Sequence, residues 1–289
     1  MKTIKYLGIF LLITLIMTTG CFKRDNLEGI EIVTTAYPIE FATNYLYGEH
    51  SIVNSVYPDG IDTSSYKLSE KQLNDYSKKK LFIYNRITND KDIALEFLER
   101  NENMLIIDAT YGMEITYGEE ELWLNPSNLL MMTQNIKNGL QEYMTNSYLE
   151  KEIDKKYEEI KVSLSELDAE LKLTAENATR KKIIVNSDTL KFLEKYGFEV
   201  VSLDTTNTPV SERILNEVIN EIETNQVKHI FLLENKENSD AINQVIEKTK
   251  VETYTFRKLD NIKDEERDEK IDYFSIMNNN IELLRNELY

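Results

Sequence analysis

The chain has 289 residues, 41% of them apolar and 29% charged, with a single cysteine. Its 51 acidic side chains outnumber 34 basic ones, for a formal charge of −17; this excludes a nucleic-acid partner, whose phosphates are neutralised by Lys and Arg. One cysteine excludes an intramolecular disulfide, so the fold must rest on its core, and the length suits one large or two modest domains.

Residues 1–20 read as a signal peptide. Lys2 and Lys5 form a charged start, Tyr6 to Met17 an apolar run, and Thr18-Thr19-Gly20 a small-residue end before Cys21. The run is too short to cross a bilayer, which takes about 20 apolar residues. Its end resembles the bacterial lipobox, in which the thiolate takes a lipid and the cysteine becomes the mature N-terminus, although Thr18 stands where leucine is commonest. The other reading is an ordinary cleaved signal followed by an unrelated cysteine. Lipidated Cys21 and a polar tether over 21–29 would anchor the protein to the outer face of the bacterial cell membrane. No second apolar segment approaches spanning length, so the chain is expected to be anchored rather than threaded.

Residues 30–145 are expected to form a first α/β lobe. Ile30 to Ala36, Ser51 to Tyr57, Leu81 to Asn85 and Met104 to Thr110 are short β-branched or apolar runs, which read as strands. Helical stretches fall between them: one opening at Tyr37-Pro38 and closing at Gly48, one over Ser69 to Lys79, and one over Lys91 to Arg100. Ser69 with Gln72 three residues on is a capping-box signal, and Pro58-Asp59-Gly60 is a turn.

Residues 146–179 contain neither Gly nor Pro, and Leu149, Ile153, Tyr157, Ile160, Leu164, Leu167 and Leu171 recur every three or four positions. That spacing predicts one helical face, about 45 Å long at 1.5 Å per residue. It suits a coiled-coil dimer or a helix crossing between lobes. The second is preferred because strand–helix alternation resumes over residues 180–289. Strands are expected at Lys182 to Ser187, Glu199 to Asp204, Lys228 to Glu234 and Glu252 to Phe256, with helices at Asp188 to Tyr196, Ser211 to Thr224, Asp240 to Lys250 and Tyr273 to Leu288. The expected fold is therefore α/β: two similar lobes, each with a four-stranded mainly parallel sheet, joined by one long rigid helix with a cleft between the lobes.

Six segments, in order, resemble the substrate-binding lipoproteins of zinc and manganese ABC transporters. They are VTTAYPIEFATNYLYG from Val33, YPDGIDTSSYKLS from Tyr57, LFIYN from Leu81, ELWLNP from Glu121, FLEKYGF from Phe192 and DYFSIMNNNIELLRNEL from Asp272. The resemblance covers nearly the whole mature chain. It implies two lobes joined by a helix, a divalent metal ion (Zn or Mn) as transported ligand, a partner permease, and a monomer without enzymatic activity.

Carried onto this sequence, the family's histidine ligand positions fall on Ser64, on Glu121 and on Asn186 or Ser187, and its late acidic ligand on Asp260 or Glu234. The two histidines of the mature chain, His50 and His229, match no ligand position and read as structural. Zinc sites use imidazole and thiolate. An oxygen set of Ser64, Glu121, Asn186 and Asp260 suits harder cations such as Mn²⁺, Mg²⁺ or Ca²⁺. Trp123 reads as core, with the cleft wall as the alternative. The chain holds no GxSxG elbow, His-Glu-x-x-His pair or Walker loop. Two functions stay open: a membrane-tethered receptor delivering a divalent cation to a permease, or a degenerate relative without metal that serves as a surface interaction or adhesin-like lipoprotein.

Overall fold

A computed structural model describes residues 25–289 except 205 and 207. The expected signal peptide and the lipidated Cys21 lie outside the described residues. From Asp25 on, the expected tether is docked rather than loose. Leu27 is fully buried, its amide donates to Asp25 Oδ1 at 2.9 Å, and the Thr145 amide donates to Asp25 Oδ2 at 2.8 Å. An apolar side chain and a bonded carboxylate thus pin this segment beside the start of the long helix.

The first lobe holds β1 (Glu31–Thr34), β2 (Ile52–Ser55), β3 (Leu81–Tyr84) and β4 (Leu105–Asp108) in the order β2-β1-β3-β4. The second holds β5 (Lys182–Val185), β6 (Glu199–Ser202), β7 (His229–Leu233) and β8 (Glu252–Phe256) in the order β6-β5-β7-β8. Every pairing is parallel; Ile32 lies opposite Val53 and Leu81, and Ile184 opposite Val201 and Ile230. In both sheets successive side chains point to opposite faces. Ile32, Leu81 and Ile83 face one core, while Val33 and Phe82 face another with Val56 and Phe97. In the second sheet Ile183 and Val185 join the first core, and Ile184 and Ile230 a third.

The shared core explains how the lobes hold together. The long helix, Ser147–Asn177, starts at Asn146, whose side chain accepts from the Tyr148 amide. All seven positions expected on its apolar face are buried in the core that receives side chains from both sheets. That face packs against the helices Pro126–Tyr143 and Tyr273–Leu288 of the same chain, so the coiled-coil reading is not what the fold adopts. The helix Pro126–Tyr143 is an addition to the sequence reading. Asn125 caps it, Pro126 fills its first position, and Leu129, Met132, Ile136 and Leu140 form its buried face. Gly139 lets it lie against β4, where a Cβ would come within 2.8 Å of Ile107. The helix expected at Asp188–Tyr196 is a 3-10 helix, ended by Gly197 at φ +100°.

Candidate functional site

The segments that leave the carboxyl ends of the strands meet between the lobes. Tyr57 and Asn85 follow β2 and β3; Ser187, Glu234 and Lys258 follow β5, β7 and β8. A cavity of about 580 Å³ includes Tyr57, Tyr66, Asp90, Glu119, Trp123 and Asp260 in its wall. A smaller one, about 260 Å³, is bounded by Ser64, Glu119 and Glu120 of the first lobe and Ser187, Thr189, Glu234 and Lys258 of the second.

Two of the four expected ligands reach this cleft. Ser64 is exposed at its rim, where its hydroxyl donates to Asp62 Oδ1 at 2.8 Å. Asp260 is 4% exposed, and its Oδ2 accepts from the Thr63 hydroxyl at 2.5 Å and pairs with Lys258 Nζ at 3.2 Å. The other two are bonded away from the cleft. Glu121 is buried and lines neither cavity, because its carboxylate accepts the backbone amides of Thr116 and Tyr117, the second at 3.1 Å. Asn186 is 1% exposed and spends its side chain within the second lobe: Oδ1 accepts from the Leu233 amide at 2.7 Å, and Nδ2 donates to Asn238 Oδ1 at 3.1 Å. Of the alternatives, Ser187 lines the smaller cavity while its hydroxyl accepts from the Thr189 amide. Glu234 is held by Arg257 Nε at 2.7 Å and Lys263 Nζ at 3.2 Å. His50 and His229 lie 2.8 Å from Glu152 and Glu287 and line neither cavity.

Three cleft residues escaped the sequence reading: Glu119, Glu120 and Lys258. Lys258 Nζ sits 3.5 Å from Glu120 Oε1 and 3.2 Å from Asp260 Oδ2, with its side chain 9% exposed. Burial alone would depress this ammonium, but the charges of Asp260 and Glu120 outweigh it and hold the group above the usual lysine range, so it is charged. Glu120 Oε2 accepts from the Thr189 hydroxyl across the lobes at 3.0 Å. This approach needs Gly118, where a Cβ would fall 2.1 Å from Thr189 Oγ1. Burial, followed by the charge of Glu120, pushes Glu119 up to about 7. Trp123 unites both readings made of it: it is buried in the core and also forms part of the cleft wall.

The arrangement can attract a cation, since carboxylates outnumber ammonium groups in the walls of both cavities. It does not form a ready zinc site. Among the described residues no group of three or more His, Cys, Asp and Glu side chains is placed to hold a metal ion, and neither cavity is lined by an imidazole or thiolate.

Two parallel α/β lobes closing on a charged cleft define a solute-binding protein, which holds its ligand between the lobes. The family described as zinc-uptake complex component A, periplasmic, matches residues 32–287, and the chain belongs to it. Membership makes the chain a transport component that works outside the cytoplasm with an ABC permease, in a family whose cargo is zinc, and not an enzyme. The chain is 20% identical to the high-affinity zinc uptake system protein ZnuA of Bacillus subtilis (strain 168) over 317 aligned positions, covering 98% of each chain. Among solved structures it is similar to the metal-dependent lipoprotein YcdH of Bacillus subtilis, with a TM-score of 0.74 and 20% identity over 90% of this chain and 99% of the other. It is also similar to the Zn(II)-bound ZnuA-like domain of Streptococcus pneumoniae AdcA, with a TM-score of 0.72, 20% identity and coverage of 90% and 99%. These likenesses establish the shared fold. Among the described residues no helix is long and apolar enough to cross a membrane.

Proposed function

We propose that this chain is the extracytoplasmic receptor of a metal-ion ABC transporter, anchored as a monomer through lipidated Cys21, and that it takes a divalent cation into the cleft for delivery to the permease. The observation that carries the reading is the meeting of Glu119 and Glu120 from one lobe with Asp260 from the other around the two cavities. Family membership supplies the class of cargo. The donor set supplies its chemistry: carboxylate and hydroxyl oxygens favour Mn²⁺ or another hard cation over Zn²⁺, which prefers nitrogen and sulfur.

The capture step needs no bond making. Carboxylates raise the local concentration of cations, and the chain segments after the strands bring ligands from both lobes to one point. The mature lipoprotein, purified in detergent, stripped with chelator and reloaded with Mn²⁺ or Zn²⁺, is expected to hold one metal ion per chain by native mass spectrometry and elemental analysis, Mn²⁺ the more tightly. Retention of neither metal would overturn the reading and leave the metal-free, receptor-like lipoprotein.

A further inference from the structure

The cleft of this chain already contains a cation. Lys258 Nζ bridges a carboxylate of each lobe, Glu120 at 3.5 Å and Asp260 at 3.2 Å. It does not float there on a loose chain. The Lys258 carbonyl accepts from Trp123 Nε1 at 2.8 Å, and its amide donates to Glu234 Oε2 at 3.3 Å. The side chain is 9% exposed, so little water competes for its three donors.

A divalent metal bound by Glu120 and Asp260 would need their oxygens at about 2.0–2.6 Å. Such an ion and the ammonium would claim the same carboxylate oxygens at van der Waals contact, with like charge. We propose that Lys258 is the resident counter-ion of the cleft and its specificity-determining residue. It neutralises the carboxylates and ties the lobes when no cargo is present, and a metal enters by displacing it. This inference rests on the cation-receptor reading above. It adds that the chain's own lysine, rather than the carboxylates alone, sets how tightly a metal is held.

The test compares the mature wild-type lipoprotein with Lys258→Met, Lys258→Gln and Lys258→Arg, each titrated with MnCl₂ and ZnCl₂ by calorimetry. Emission of Trp123, the single tryptophan, gives a second readout beside the site. Lys258→Met and Lys258→Gln are expected to bind Mn²⁺ about tenfold tighter than wild type or better, and Lys258→Arg no tighter than wild type. Equal affinity in wild type and the two neutral variants would overturn the inference while leaving the cation reading standing. Absence of binding in all four proteins would overturn both. Amine labelling of the wild type, read by peptide mass spectrometry, tests the same point without a substitution. Lys258 is expected to be protected alone and labelled in excess Mn²⁺, and protection unchanged by bound Mn²⁺ would overturn the displacement.

Discussion

Trp123 donates its indole N–H to the carbonyl oxygen of Lys258 at 2.8 Å. The bond runs from a short helix of the first lobe, Glu121–Leu124, to the segment after the last strand of the second. Tyr273 completes the chain by donating its hydroxyl to the Trp123 carbonyl at 2.6 Å. The backbone that carries Lys258 is thus fixed by the opposite lobe, and the same tryptophan forms part of the cleft wall. Replacing Trp123 by Phe removes the donor, leaves the Lys258 carbonyl without its partner and opens space in a buried site. Losing such a bond costs about 1–3 kcal/mol, and the lost volume adds to it. The expected loss is about 2–4 kcal/mol by urea unfolding followed with circular dichroism. A change under about 1 kcal/mol would show that the bond does not tie the lobes.

Glu119 gives the cleft a pH dependence. Burial and the neighbouring charge of Glu120 raise its carboxyl from 4.5 to about 7. A carboxyl raised in the folded state contributes stability that is fully present below its unfolded value and is lost as pH rises through its folded one. The thermal midpoint of Glu119→Gln, which cannot ionise, is therefore expected to gain on wild type steadily from pH 4.5 to about 7 and to level off above that. Parallel midpoint-against-pH curves for the two proteins would contradict this.

The elements with a strong period are legible in the sequence itself. The seven apolar positions from Leu149 to Leu171 mark one face over many turns, and short β-branched runs such as KIIV at Lys182 stand out between polar segments. The helix Pro126–Tyr143 carried equally clear signals, an Asn cap, Pro at the first position and Leu129, Met132, Ile136 and Leu140 at helical spacing. Its start overlaps the ELWLNP motif, so the same Asn125-Pro126 pair serves as family signature and as helix cap. The site was less legible for a different reason. A position in a pattern names a residue but not the direction of its side chain. Glu121 stands at a histidine position, yet free amides at Thr116 and Tyr117 claim its carboxylate, and the preceding Glu119 and Glu120 line the cleft instead. Lys258 has no local signal at all, because its partner Glu120 is remote in sequence and joined to it by the meeting of lobes.

Gly118 controls how closely the lobes meet. A methyl group there would stand 2.1 Å from Thr189 Oγ1 and 3.2 Å from Thr189 Cβ. To make room, Thr189 must turn or retreat, and its bond to Glu120 is lost. Gly118→Ala is expected to destabilise by about 1–3 kcal/mol, as overpacking does. Because the clash and the bond share one side chain, adding Thr189→Ala should recover part of that loss. The two substitutions are expected to be non-additive by about 0.5 kcal/mol or more, and strict additivity in a double-mutant cycle would count against the contact.

Arg267 fastens the two lobes through a second set of contacts. It comes from the short helix Asp264–Asp268 and reaches Glu40 with Nη1 and Nη2 at 2.8 and 3.1 Å. Its Nε and Nη2 also donate to Asp59 at 2.5 and 2.8 Å. Glu40 is buried, with 5% of its side chain exposed, so removal of the guanidinium leaves a carboxylate with little water to take its place. Breaking a fully buried pair costs about 3–5 kcal/mol. The Arg267 side chain is 42% exposed, and solvent screening lowers the expected cost of Arg267→Ala to about 2 kcal/mol. Arg267→Lys should fall between, since one ammonium cannot serve two carboxylates in paired fashion. The decisive comparison is Arg267→Ala with and without Glu40→Gln. Neutralising the stranded carboxylate is expected to restore stability by chemical unfolding, whereas a further loss in the double variant would mean that Arg267 acts through packing of its stem and not through charge.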